Sequence, residues 1–432
     1  MLSPNVTERL GVTAAESIHP FGQHSACSAY PHPSCTGFIL GDAVQHRELT
    51  GLLRTPFVSE RIQRVDPRTG VKVIQLTSYP LPSAHFLYDW PFVTPDNQRV
   101  VLFCQRSAAR DAPWDIFRVD ADGLNLFQLT ERGDRMEPGG YYGRPAARLT
   151  LDGRTIYGVW GQALCTVDVE TGGTEELLSL DKGWPKGSVA NNLHISANGQ
   201  RLFILYSTRA GHGVLRIDLK ATEIKDVRID GHLLACDPTG PRLVVTKGKV
   251  EWGTITRGDG SRVVTNLGQL GAKWVVDEDG REIEYLCPEM YAHATLLGMH
   301  LKVQGCGKPP ERCIWISEKG SEPRKLVQGP YFWHSAASWN GEWIVADTNW
   351  PDQGLQLVHV PTAHFAPLCY PGASQDHYEF GHPHPALSQD GSLCVFRSDR
   401  TGVPQIFIAH IPKEFQERVI AGELDARSKW MA

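Results

Sequence analysis

The chain has 432 residues, 41% of them hydrophobic and 21% charged, with a net charge of −5 from 43 basic and 48 acidic side chains. Charge is spread along the sequence, so no basic patch favours nucleic acid or a membrane surface. No apolar run reaches the roughly 18 residues of a membrane span, and the length exceeds the ~100–200 residues of a small domain while suiting a large all-β fold.

The opening Met1-Leu2-Ser3-Pro4-Asn5-Val6-Thr7-Glu8-Arg9 lacks a basic stretch followed by an apolar one, and reads as no secretory signal. Residues 1–56 hold scattered Pro, Gly and His, including His19, His24 and His32, with no periodicity. They are expected to form an irregular extension. Residues 57–432 read as one repeat domain.

Within it, two strand-like runs come first, Ile62-Gln63-Arg64-Val65-Asp66 and Val71-Lys72-Val73-Ile74-Gln75-Leu76-Thr77. Then a unit recurs: a turn of Asp-Gly or Asn-Gly type, an apolar strand, a polar loop and a second strand. Thr94-Pro95-Asp96-Asn97 leads to Val100–Phe103, and Leu151-Asp152-Gly153 to Ile156–Val159. Ser196-Ala197-Asn198-Gly199 leads to Leu202–Leu205, and Cys236-Asp237-Pro238-Thr239-Gly240 to Leu243–Val245. Leu296-Leu297-Gly298 is a weaker copy before His300–Val303. Ser338-Trp339-Asn340-Gly341 leads to Trp343–Val345, and Ser388-Gln389-Asp390-Gly391 to Leu393–Phe396. Such turns join hairpins, and about seven units at roughly 40–55 residues predict a seven-bladed β-propeller. The last unit lacks its outermost strand. The N-terminal strand is expected to complete that C-terminal blade and close the ring.

Ten cysteines include no Cys-x-x-Cys pair. Several sit in strand-like runs, as in Leu393-Cys394-Val395-Phe396, and read as buried free thiols, which favours a reducing cytosol.

In a propeller the starts of the innermost strands converge on one end of the central channel. The polar residues there are His85, Tyr141 and Tyr142 with Arg144, His194, His232, His293, His334, His382 and His384. Each taken singly reads as structural; together they describe a histidine-lined mouth. The segment Glu379-Phe380-Gly381-His382-Pro383-His384-Pro385 adds a stronger signal. Residues two apart on an extended chain share a side, and the prolines disfavour helix, so two imidazoles and a nearby carboxylate form the start of a divalent-metal site. Asp376-His377 beside it reads as an acid/base pair or as support for the ligands. No Gly-x-Ser-x-Gly elbow points to a serine hydrolase.

The segment from Glu379 through His382-Pro383-His384-Pro385, Asp390-Gly391, Ser398-Asp399 and Ile406-Phe407-Ile408-Ala409 resembles the C-terminal blade of oligogalacturonate lyases. Trp333-His334-Ser335 through Gly341 and Ala346-Asp347 is similar to that family's preceding blade, and weaker similarity covers 60–230. The resemblance implies a seven-bladed propeller and a manganese ion held by His334, His382, His384 and Glu379. Glu379 stands where the family has a glutamine, which leaves calcium and magnesium open as well. The implied catalytic base is His293. The family's arginine near this base has no counterpart in Val250-Glu251-Trp252, leaving Arg144, Arg257 and Arg312 as candidates. The implied reaction is β-elimination on a uronate-containing acidic oligosaccharide, with Tyr142 or His194 as proton donor to the leaving oxygen. A lyase for glucuronate-linked sugars and a non-catalytic binding scaffold are the rival readings. Monomer and homodimer both stay open.

Overall fold

The computed structural model describes residues 56–90, 92–108, 113–131, 145–208, 211–256, 262–289, 291–308, 311–349, 353–374 and 381–429. Of 250–253, 255–256, 263–269 and 291–292 only the backbone is described. Residues 1–55 lie outside, so the expected extension is not addressed.

The repeat follows from one turn. In every blade a backbone N–H bonds the carbonyl five residues on, at Thr94, Thr150, Ser196, Asp237, Leu297, Ser338 and Ser388. In five of these the Ser or Thr hydroxyl also donates to an Asp or Asn two residues later, as in Ser338 to Asn340 (2.7 Å) and Ser388 to Asp390 (2.7 Å). The next position is left-handed, with φ of 71° at Gly341 and 74° at Gly391, where a Cβ is unfavourable. Asn97 takes that place in the first blade with φ 58°, the substitution such a conformation tolerates best. Each turn thus folds an innermost strand back on its neighbour by local hydrogen bonds.

The result is seven antiparallel sheets, six of four strands and one of five, arranged as a seven-bladed β-propeller. Blade one runs from Ser83–Ala84 outward to Phe127–Gln128, blade two from Ala146–Leu149 to Thr174–Ser179, and blade three from Val189–Ile195 to Glu223–Val227. Blades four, five and six start at His232–Cys236, Tyr291–Leu296 and Phe332–Ala337. Blade seven starts at Ala386–Leu387, short because Pro383 and Pro385 remove ladder donors before it.

Blade seven is completed from the N-terminal side, and by two strands rather than one. Lys72–Gln75 pairs antiparallel with Gln405–His410, and Ile62–Val65 adds outside it. Ile74, opposite Ile408, is fully buried. Apolar residues of blades one, two and seven, among them Phe117, Leu149 and Val395, share one core. The eight described cysteines are buried and unbridged, as the sequence implies.

Two features depart from the sequence reading. Blade four carries a hairpin of 15- and 16-residue strands, Arg242–Thr256 and Arg262–Asp277, paired as far as Thr256 and Arg262. Runs of β-branched residues at 254–256 and 263–265 favour strand and extend the hairpin beyond the blade. After blade seven comes a helix, Lys413–Ile420, whose buried Phe415 and Val419 pack with Leu355, Leu357 and Leu368 of blade six. No helix among the described residues is long and apolar enough to cross a membrane.

If the N-terminal strands hold the ring, Ile74→Ala lowers unfolding free energy by about 2–5 kcal/mol, while Ile62→Ala on the exposed outer strand shifts it by roughly 1 kcal/mol or less. Urea denaturation of both variants checks this, and equal losses would show that the inner strand bears no special load.

Candidate metal centre at the channel mouth

Counting back from the turn residue sorts the channel-lining side chains into layers. Four residues before the turn stand His293, His334 and His384 in blades five, six and seven. Two residues before it stand Arg148, His194, Thr295 and Ala336, which line a cavity of about 60 Å³ deeper in the channel. The histidines expected at a common phase therefore divide: three share it, while His194 lies one layer down.

Local backbone distortion aims the three. Strand register slips between Ala292 and Thr295 and between Phe332 and Ser335, so His293 and His334 sit in bulges. His293 has φ 51° and His384 φ 46°. A histidine in the left-handed region costs energy, and such strain clusters at functional sites.

The side chains converge. The rings of His334 and His384 stack with centroids 3.8 Å apart, and His382 lies 5.3 Å from His334 and 6.1 Å from His384. His293 is 4.4 Å from His334 and packs on Trp333 at 4.8 Å. His334, His382 and His384 are buried to less than half exposure, the first two almost fully.

Asp347, fully buried on the second strand of blade six, organises this cluster. One oxygen accepts the His334 backbone N–H (2.7 Å); the other accepts the His334 ring Nδ1–H (3.0 Å) and the His384 backbone N–H (3.0 Å). The sequence reading passed over Asp347 as a candidate. Its signal was a single carboxylate ending the apolar run Trp343-Ile344-Val345-Ala346.

Three observations test whether a dication fits. His334 Nδ1 is tied to Asp347, which leaves Nε2 as the lone-pair nitrogen, an arrangement common to metal-binding histidines. His382 Nδ1 is buried with no hydrogen-bond partner among the described residues. His334, Asp347 and His382 each present a ligand atom within 4.8 Å of the others. Since Asp347 already accepts three N–H donors, it serves better as the orienting carboxylate than as a ligand. Two imidazoles on one ion put their centroids roughly 5 Å apart, close to the His334–His382 spacing. The residues fit a divalent metal. His384 is engaged differently: its Nδ1 lies 2.8 Å from an Arg397 N–H and 3.1 Å from the His382 carbonyl. Accepting from Arg397 puts the ring proton on Nε2, whereas donating to the carbonyl leaves Nε2 free for an ion.

Burial holds these imidazoles neutral. His334 and His384 fall well below the usual histidine range, the first through burial and Arg397, the second through burial and His334. Burial, then His334, lowers His382 to about 3. Burial raises the Asp347 carboxyl to about 6 against the pull of the neighbouring histidines and backbone donors.

The remaining candidates separate. His194 belongs to a second polar group with the buried Arg148, which forms a two-pronged ion pair with Asp89 (3.1 and 3.2 Å) and donates to His194 Nδ1 (3.1 Å). Burial, then Arg148, lowers His194 to about 3. His85 stacks on Phe92 at 4.9 Å and lies 6.5 Å from His384; His232 faces His212 at 5.2 Å. Tyr88, absent from the sequence candidates, sits against His334 (5.4 Å) and His384 (5.5 Å). Tyr141, Tyr142, Arg144, Arg257, Asp376, His377 and Glu379 lie outside the described residues.

The sign of the pH dependence follows. Unfolded, His194 and His382 titrate near ~6.5, whereas folded they stay neutral down to about 3. At these two positions only the unfolded chain takes up protons between those values, so their contribution to stability is full above pH ~6.5 and falls as pH drops toward 3. His194→Gln should make this decline shallower by up to about 1.4 kcal/mol per pH unit in metal-free protein. Unfolding midpoints from pH 7 to 4 check it; an unchanged slope would mean that His194 titrates alike in both states.

Comparison with solved structures is informative at the level of fold. An oligogalacturonate lyase in complex with manganese superposes with a TM-score of 0.66 and 18% identity, over 84% of this chain and 99% of that one. Oligogalacturonate lyase from Vibrio parahaemolyticus gives a TM-score of 0.64 and 15% identity, with the same coverage. No protein-family model and no curated protein sequence matches the chain. The chain thus has the seven-bladed β-propeller fold of oligogalacturonate lyases, at a sequence distance where fold is what the likeness establishes.

Proposed function

We propose that this protein is a metal-dependent lyase that cleaves uronate-containing oligosaccharides by β-elimination, leaving a 4,5-unsaturated sugar. The observation that carries the reading is the convergence of His293, His334, His382 and His384 around the buried Asp347 at one end of the channel. Its fold likeness to lyases, one of them a manganese complex, supports the reaction class.

His334 and His382 would hold the ion, joined by His384 once its Nε2 is free and by Glu379 from the adjoining segment. A dication there would neutralise the substrate carboxylate and so acidify the neighbouring C5 proton. The chain's own residues do the rest. Asp347 fixes the His334 tautomer and the placing of both strand starts. His293, backed by Trp333 and aimed by its left-handed backbone, takes the C5 proton, a task suited to a neutral imidazole. The leaving 4-oxygen takes a proton from water or from a mouth side chain, Tyr142 and His194 being the sequence candidates. An acidic oligosaccharide is the partner, and galacturonate the first uronate to try.

The test follows the ultraviolet absorbance of the unsaturated product on galacturonate and glucuronate oligomers, with EDTA and with added manganese. A manganese-restored rise on oligogalacturonate is expected. A rise on glucuronate-linked sugars alone keeps the chemistry and changes the sugar, while no rise on any uronide with metal bound sinks the lyase reading. His293→Ala should retain bound metal and lose about 10²–10⁴-fold in kcat; His382→Ala should lose metal and activity together.

A separate measurement addresses the carboxylate. Asp347→Asn should cut manganese affinity about 10–100-fold by calorimetry, because the amide no longer fixes the His334 tautomer. Undiminished affinity would refute the orienting role.

A further inference from the structure

A second polar site lies away from the channel, in a cleft of about 220 Å³ between blades six and seven. Its floor is the outer face of blade seven. Ile62 and Arg64 of the outermost strand, Val73 and Gln75 of the next, and Phe407 line it, and the register places Arg64 opposite Val73 and Gln75 opposite Phe407. Its walls are Arg68, Arg400 and the segment at Tyr370 that follows blade six.

Among the described residues, the carboxylate that lines the cleft beside Arg64 and Arg400 is Asp66. That carboxylate is occupied in holding backbone: Oδ1 accepts the N–H groups of Arg68 (2.9 Å) and Thr69 (3.1 Å), and Oδ2 accepts that of Tyr370 (2.8 Å). Asp399, the sequence neighbour of Arg400, is bound by Ser374 through its N–H (2.8 Å) and hydroxyl (2.5 Å). Arg64 and Arg400 make no ion pair among the described residues. Partial burial and then Arg64 lower Arg400, whose side chain is otherwise exposed, while Asp66 pulls the other way. Two arginines held near each other with no ion pair among the described residues repel, and such groups mark candidate binding sites. Arg68 lies over the Tyr370 ring at 4.2 Å, which gives the cleft a cationic-aromatic wall.

The floor carries an independent observation. Gln75 is 1% exposed, and its Nε2 donates to the Thr77 carbonyl (2.8 Å), but its buried Oε1 has no partner among the described residues. An orphaned buried acceptor calls for a ligand with a donor, and a hydroxyl is the donor that suits an amide oxygen. A ligand that offers a carboxylate to arginines and a hydroxyl to an amide oxygen is a hydroxy acid. A sugar acid presents both groups on one ring and an apolar ring face to Tyr370.

We propose that this cleft binds a uronate unit of an acidic oligosaccharide. The inference shares its ligand class with the proposed lyase reaction but none of its residues, so the two can fail separately. It anchors a chain at the propeller's side rather than at the histidine cluster.

The test is calorimetric titration of EDTA-treated full-length protein with trigalacturonate, using Arg64→Ser/Arg400→Ser, both exposed, against wild type. The expected result is at least about tenfold weaker binding by the double variant at an unchanged melting temperature, since each charged hydrogen bond is worth about that much. Galactotriose should not bind, and ten-millimolar phosphate should displace the sugar only weakly. Equal trigalacturonate affinity in variant and wild type overturns the proposal, as does phosphate binding as tightly as the sugar, which would make the cleft a plain anion site. The product-absorbance assay keeps the readings apart. Arginine-dependent binding without elimination on any uronide retains the cleft and removes the lyase.

Discussion

The arrangement at the channel mouth depends on one buried carboxylate spanning two blades. Asp347 belongs to blade six but bonds the His384 backbone at the entrance to blade seven as well as His334 beside it. Removing a carboxylate from water is costly, and here the cost is met by three N–H donors rather than by a cation. This has two consequences. The start of blade seven, where two prolines deny ladder hydrogen bonds, is pinned by a side chain instead of by sheet pairing. The His334 ring is also held in one tautomer and one orientation, so its second nitrogen points away from the carboxylate into the cluster.

That economy explains why strain is tolerated where it is. His293 and His384 adopt left-handed backbone that histidine rarely takes, and His293 and His334 occupy bulges. A regular strand would direct alternate side chains along the channel wall. The distortions turn three side chains at one phase of three consecutive blades toward a common point. Rigid neighbours make this possible: each histidine is four residues from a turn locked by its own backbone hydrogen bond, so an error in aim cannot spread far along the strand.

The legible part of this molecule is the part written in local chemistry. Ser-x-Asn-Gly and Ser-x-Asp-Gly turns, the apolar strands after them and the unfinished last blade predict the seven sheets and the N-terminal completion, because a turn's hydrogen bonds involve residues within five positions. The His382 and His384 pair is local too. His334 and His293 came from the propeller phase combined with a family resemblance, and the structure brings both to the pair. What the sequence conceals is contact between distant segments. Asp347 is one residue at the end of an apolar strand until His334 and His384 fold onto it. Tyr88, Asp89 and Arg148 are unremarkable until a loop of blade one reaches over blade two. His194 shares a residue type with the cluster but differs by two positions in phase, enough to move it a layer down. The long hairpin of blade four was missed because a blade strand and its extension have the same β-branched composition.

The layer beneath the histidines limits where chemistry can occur. Arg148 fills the channel at a position where blades five and six carry Thr295 and Ala336, and it is 1% exposed. Its guanidinium is saturated by Asp89, the Leu193 carbonyl (2.5 Å) and His194. An arginine so fully paired cannot also bind a substrate carboxylate without leaving the half-buried Asp89 unpaired, a costly exchange. The cavity around it, about 60 Å³, also takes in Pro238, Gly298 and Trp339 of the turns. In the histidine layer His382 Nδ1 is a buried nitrogen with no hydrogen-bond partner among the described residues. The Arg148–Asp89 pair acts as a floor, and by closing the channel it keeps the neutral imidazoles above it in the low-dielectric setting that their lowered basicity reflects.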